Sequence, residues 1–123
     1  AKARGAAKVL VANRSFDRAA ALAKDVGCEA VELSAVASGE VKGDVLCNTT
    51  SVGMHPYEDQ TPVPAAALKG YKLVFDAIYT PMETMLLKEA AAAGAVTVSG
   101  LEMFVGQAAA QFRLFTGKEP PVD

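Results

Sequence analysis

The chain has 123 residues, 51% hydrophobic and 21% charged, which is enough for one globular domain with its own core. A formal net charge of −2 gives no basis for a nucleic-acid partner or an acidic membrane surface, and no apolar run approaches the roughly 18 residues of a membrane span. Cys28 and Cys47 are too few and too scattered for a disulfide framework or a zinc site, so both are expected to be free thiols packed as small buried side chains.

The chain opens on Ala1-Lys2-Ala3-Arg4-Gly5, without an initiator Met and without signal-peptide character. Lys8 to Ala12 is a β-branched-rich run that predicts a strand, and Ser15 is placed to cap an alanine-rich helix from Phe16 to about Val26, stopped by Gly27. Glu29 to Leu33 predicts a short strand, and Ser34 to Gly43 a turn of helix plus loop. Residues 44–48 predict a third strand that opens into a polar segment from Thr49 to Thr61, and a short helix is expected within Pro62 to Gly70. Lys72 to Ala77 and Val96 to Ser99 complete the strands.

Two helix starts carry a capping-box pattern. Thr80-Pro81-Met82-Glu83 adds proline at the first helical position and predicts a helix to about Ala93, ended by Gly94. Ser99-Gly100-Leu101-Glu102 predicts a helix to about Phe115, ended by Thr116-Gly117. Alternating strands and helices predict an α/β fold with a parallel sheet flanked by helices.

Such a sheet binds ligands at the carboxyl ends of its strands, and the polar clusters fall there. They are Asn13-Arg14-Ser15, the segment from Asn48 to Met54, Asp76 to Tyr79, and Ser99-Gly100. In a dinucleotide-binding unit an acidic residue at the first position would hold the ribose hydroxyls and select NAD. Here Asn13 and Arg14, with Arg18 one helical turn on, suit the 2′-phosphate of NADP beside a helix N-terminus. A solvated arginine pair is the competing reading. Thr49-Thr50-Ser51 offers hydroxyls and Gly53 a close backbone approach, although a Ser/Thr-rich turn is commonly just a turn. His55, the one histidine, precedes Pro56 in a polar loop with no obvious carboxylate partner and is expected at the surface. Tyr79 sits where its hydroxyl can reach a ligand or its ring can pack. On the last helix, Met103, Gln107 and Gln111 share one face, so glutamines interrupt what would otherwise be a core stripe.

Together, NRSFDRA, NTTSVGM, VFDAIYTP and SGLEMFVGQAAAQF resemble, in order, the C-terminal NADP-binding half of the shikimate dehydrogenases, and most of all the plant form fused to a dehydroquinate dehydratase. Ser15 stands where that family commonly has threonine. The resemblance implies a Rossmann-like sheet that lacks its first strand, glycine-rich pyrophosphate turn and first helix, so that residues 1–123 form part of an NADP-binding domain. It implies that Asn13, Arg14, Ser15 and Arg18 hold the 2′-phosphate. Thr50 and Ser51 would line the cofactor groove, joined by backbone at Ala77 and Gly100, with Met103 against the nicotinamide and Tyr79 and Gln107 reaching shikimate.

The family's catalytic lysine and aspartate lie in a separate N-terminal domain, so no catalytic residue is expected here. The implied reaction, reduction of 3-dehydroshikimate with NADPH, would need that domain as partner, and a plastid location follows for a plant-like member, a cytoplasmic one otherwise. In a 3-2-1-4-5-6 sheet the missing strand would leave the strands at 8–12 and 44–48 without a shared neighbour, which predicts unpaired or forced-together edges and a destabilised fragment. Two readings stay open beside this one: a quinate/shikimate-type dehydrogenase using NAD, and a non-catalytic nucleotide-binding or interaction module.

Overall fold

A computed structural model describes residues 1–121, the Lys2 side chain excepted. It divides into two compact units, Ala1–Lys42 and Gly43–Asp123.

In the first unit, strand β1 (Leu10–Asn13) and strand β2 (Glu29–Glu32) pair in parallel, with Leu10 opposite Glu29 and Asn13 opposite Glu32. Helix α1 (Phe16–Val26) makes the crossover and lays Ala19 and Ala23, one turn apart, against the strands. Small side chains on that stripe let helix and sheet approach closely. Gly27 ends the helix in the left-handed region at φ 71°, the conformation glycine adopts at least cost. A single turn of helix, α2 (Leu33–Ala37), follows and buries Val36.

The second unit is a three-stranded parallel sheet in the order β3 (Val45–Asn48), β4 (Leu73–Asp76), β5 (Val96–Val98). The central strand is the best covered: Val74 and Asp76 are fully buried, beneath a short 3₁₀ turn (Ala65–Leu68) and helix α3 (Met85–Ala92), whose Leu86, Leu87 and Ala90 complete the core. The alternate residues of β3, Val45 and Cys47, are exposed. Helix α4 (Gly100–Thr116) closes the chain and ends at Gly117, φ 69°. Among the described residues β1 has β2 as its one strand neighbour, and β3 has β4.

The α/β class and parallel pairing match the sequence pattern, and three expectations do not survive. Helix α3 does not begin at Thr80: residues 80–83 form bends with a cis Thr80–Pro81 bond, and the cap is Thr84, whose hydroxyl accepts from Leu87 N–H at 3.3 Å. Thr84 prevails because its hydroxyl is itself anchored on a buried acceptor, Asp76. Ser15 and Ser99 occupy N-cap positions with extended backbone, yet neither side chain makes a cap bond. The cysteines are free, as expected, but not buried: Cys28 is half-buried and Cys47 exposed.

Candidate functional site

The first unit supplies a polar turn at the end of β1. Ser15 N–H donates to Asn13 Oδ1 at 2.8 Å, so Asn13 organises the entry into α1 that Ser15 was expected to cap. Arg14 and Arg18 are both exposed, and among the described residues neither forms an ion pair. Two uncommitted guanidiniums flank the free N–H groups and positive dipole end of an eleven-residue helix. That donor set suits a phosphate, which takes forked hydrogen bonds from arginine.

The second unit gathers its polar residues at the carboxyl ends of β3 and β4, where Asn48 and Asp76 stand side by side in register. Both are buried, with 4% and 0% of their surface exposed, and Thr84 joins them at 1%. Asp76 Oδ1 accepts from Asn48 Nδ2 (3.2 Å) and from Ile78 N–H (3.0 Å), while Oδ2 accepts from the Thr84 hydroxyl (2.8 Å). Asn48 Nδ2 also donates to Val52 O at 3.2 Å, and Asn48 Oδ1 accepts from Thr50 N–H (3.1 Å) and Oγ1 (2.6 Å). The sequence places Asn48 and Asp76 at strand ends, but their bonds to one another and to Thr84 escaped sequence reasoning. The available hint was an Asn and an Asp closing two apolar strands at matched positions.

Beside this cluster opens a cleft of about 370 Å³, lined by residues 49–51, 54 and 77–80. Thr50, Ser51, Ala77 and Tyr79 therefore come together as the sequence suggested. The Thr50 hydroxyl is already engaged, since it donates to Asn48 and accepts from Val52 N–H at 3.1 Å, leaving one lone pair for a ligand. Gly53, at φ 100°, closes the loop so tightly that a side chain would meet Gln60 O at 3.0 Å.

Gly100 starts α4 against the other side of the same strand end, its N–H donating to Ile78 O at 3.2 Å. A methyl group there would stand 2.6 Å from Ile78 O and closer to Ala77 O, so only glycine allows this approach. The Tyr79 and Phe104 rings lie 5.4 Å apart, tilted by 37°, so the Tyr79 ring packs while its residue remains half exposed. Met103 and Gln107 lie outside the cleft lining on an exposed α4, where Gly100 is the one buried residue. The glutamines thus interrupt no core stripe within this unit. His55 is exposed as expected but does have a carboxylate, Glu58, with Nδ1 3.0 Å from Oε1.

The family described as Shikimate 5'-dehydrogenase C-terminal domain matches residues 100–123. Over 122 residues the chain is 52% identical to the bifunctional 3-dehydroquinate dehydratase/shikimate dehydrogenase, chloroplastic, of Arabidopsis thaliana, covering 98% of this chain and 20% of that protein. Its fold superposes on the shikimate 5-dehydrogenase of Thermus thermophilus, solved with NADP(H) and shikimate, at a TM-score of 0.86 and 35% identity. The chain is similar in sequence and fold to part of the shikimate dehydrogenases. The quinate dehydrogenase of Corynebacterium glutamicum, solved with NAD, is nearly as close in fold, at a TM-score of 0.84 and 35% identity. Each of these two structures covers 97% of the chain, whereas the chain spans 43% and 44% of their lengths.

Proposed function

We propose that the chain is part of the NADP-binding domain of a shikimate dehydrogenase, which reduces 3-dehydroshikimate to shikimate with NADPH. The observation that carries this reading is the pair Arg14 and Arg18, exposed and free of carboxylate partners at the start of α1. Asn13, Arg14, Ser15 and Arg18 bind the adenosine 2′-phosphate. The walls of the second unit's cleft, Thr50, Ser51 and the Ala77 backbone, line the nicotinamide side with Gly100 and Met103. Tyr79 and Gln107 reach shikimate. When bound, the nicotinamide supplies the hydride, and the protein's part is binding and alignment. No residue here is assigned to moving the substrate proton, so the 123-residue chain by itself binds cofactor without turnover. Shikimate and a complementary substrate domain are the proposed partners. A plastid is the proposed compartment, in keeping with the plant relative's name.

The likeness to a quinate dehydrogenase solved with NAD favours one rival, an NAD-using enzyme of the same group. Calorimetric titration with NADP⁺ and NAD⁺ separates the two. Each charge-assisted contact to the phosphate contributes about 1.5–3 kcal/mol, so NADP⁺ binds at least about tenfold more tightly, and Arg14→Ala removes most of that preference. Equal binding of both cofactors, or an Arg14→Ala variant with its preference intact, rejects the 2′-phosphate assignment.

A further inference from the structure

Asp76 has no ligand in the reading above, yet it is the most enclosed polar group of the second unit. No Lys, Arg or His pairs with it among the described residues, so its carboxylate rests on three hydrogen bonds alone. An apolar side chain would fill the same core position without the desolvation cost. The bonds lead somewhere specific. Through Ile78 N–H, Asp76 fixes the backbone that carries Ala77 and Tyr79, one wall of the cleft. Through Asn48 it fixes the turn that carries Thr50, in another stretch of the cleft lining. Through Thr84 it ties both to the first turn of α3.

We propose that Asp76 is a positioning residue, holding the two segments that line the cleft in place through Asn48, the Ile78 N–H and Thr84, and so setting affinity for the nicotinamide half of the cofactor. This rests on the reading of that cleft as the nicotinamide side of an NADP site. A strut that only stabilised the core would affect every ligand alike. A strut that shapes the cleft affects the ligand that reaches it.

The test uses two probes on the 123-residue chain: NADP⁺, and adenosine 2′,5′-bisphosphate, which lacks the nicotinamide. Asp76→Asn keeps the volume but turns one acceptor into a donor facing Thr84. It is expected to weaken NADP⁺ about tenfold, the worth of one charge-assisted hydrogen bond, and to leave the bisphosphate within about twofold. Thr84→Val, which keeps shape and loses the hydroxyl, is expected to shift the same ratio in the same direction, and Thr84→Ser to restore it. Should Asp76→Asn fail to fold, the Thr84 pair decides. Equal losses for both probes, or no change in their ratio, overturn the proposal and leave the cluster a core strut. A wild-type chain that binds NADP⁺ no better than the bisphosphate removes the nicotinamide reading itself and the proposal with it, a failure distinct from an unchanged ratio in the variants.

Discussion

Adding one methyl group to Gly100 tests how α4 is attached to the strand end. The helix touches the unit's buried interior at this residue alone, where the backbone of residues 77–78 is so close that a Cβ would lie 2.5 Å from Ala77 C and 2.6 Å from Ile78 O. Ordinary contact starts near 3.4 Å, so Gly100→Ala requires a shift of at least about 0.9 Å between two stretches of backbone, neither of which can rotate away as a side chain can. Overpacking of this kind costs about 1–3 kcal/mol. Against it stands the smaller conformational freedom of Ala in the unfolded chain, about 0.4–1 kcal/mol in favour of folding. The expected net is a loss of about 1–2 kcal/mol, or about 4–16 °C in melting temperature for a unit of this size. Gly106 is the internal control: it lies on the same helix with nothing within 4 Å of its would-be Cβ, so Gly106→Ala should raise stability by up to about 1 kcal/mol. Paired thermal melts followed by circular dichroism give the comparison, and NOEs between the Tyr79 and Phe104 rings report whether α4 keeps its place. If Gly100→Ala melts at or above the wild type with those NOEs intact, the close approach does not constrain the helix and the reasoning fails.

Two further outcomes follow from individual groups. Burial pushes the Tyr71 phenol above its ordinary value of 10.0, and partial desolvation by neighbouring chain does the same for the thiol of Cys47, exposed as a residue, above 9.0. Native-state values above the unfolded ones mean that the unfolded chain releases these protons first, so stability is full below about pH 9 and declines as pH rises past it. Urea midpoints measured from pH 7.5 to 10.5 should therefore fall, less steeply in Cys47→Ala, and a flat profile would contradict the assigned shifts. The His55–Glu58 pair is short at 3.0 Å, but its side chains are 66% and 49% exposed. Glu58→Gln should change stability by less than about 0.5 kcal/mol in the same titration, and a larger loss would mean the loop depends on that contact.

The elements themselves were legible because their determinants are local. Helix α1 runs from Phe16 to Val26, as alanine content and the Gly27 stop imply, and each expected run of four to six residues became a parallel strand within a residue or two of its expected ends. The start of α3 was misplaced because a capping box specifies a competent pattern, not the winner between two competitors. Thr80 and Thr84 both offer a hydroxyl four residues apart. What separates them is Asp76, eight residues upstream of Thr84 and adjacent only once β4 is folded.

The same argument explains which part of the site was readable. Hydroxyls and amides at strand ends look alike in sequence whether they face a ligand or close a turn, since both tasks need short polar side chains beside free backbone groups. Folding separates them by supply and demand. The Asn48 amide, the Thr50 hydroxyl and the Asp76 carboxylate are largely consumed by partners within the chain, and Asn13 is consumed by Ser15 N–H. Arginine differs because its donors lie at the end of a long stem that a local turn cannot satisfy. Arg14 and Arg18 accordingly leave the fold without an ion pair among the described residues, and their charge is the part of the proposed site that the sequence states most directly. On the proposed reading, ligand selectivity divides between two kinds of residue: arginines that meet the ligand themselves, and consumed polar groups such as Asp76 that act by fixing what the ligand meets.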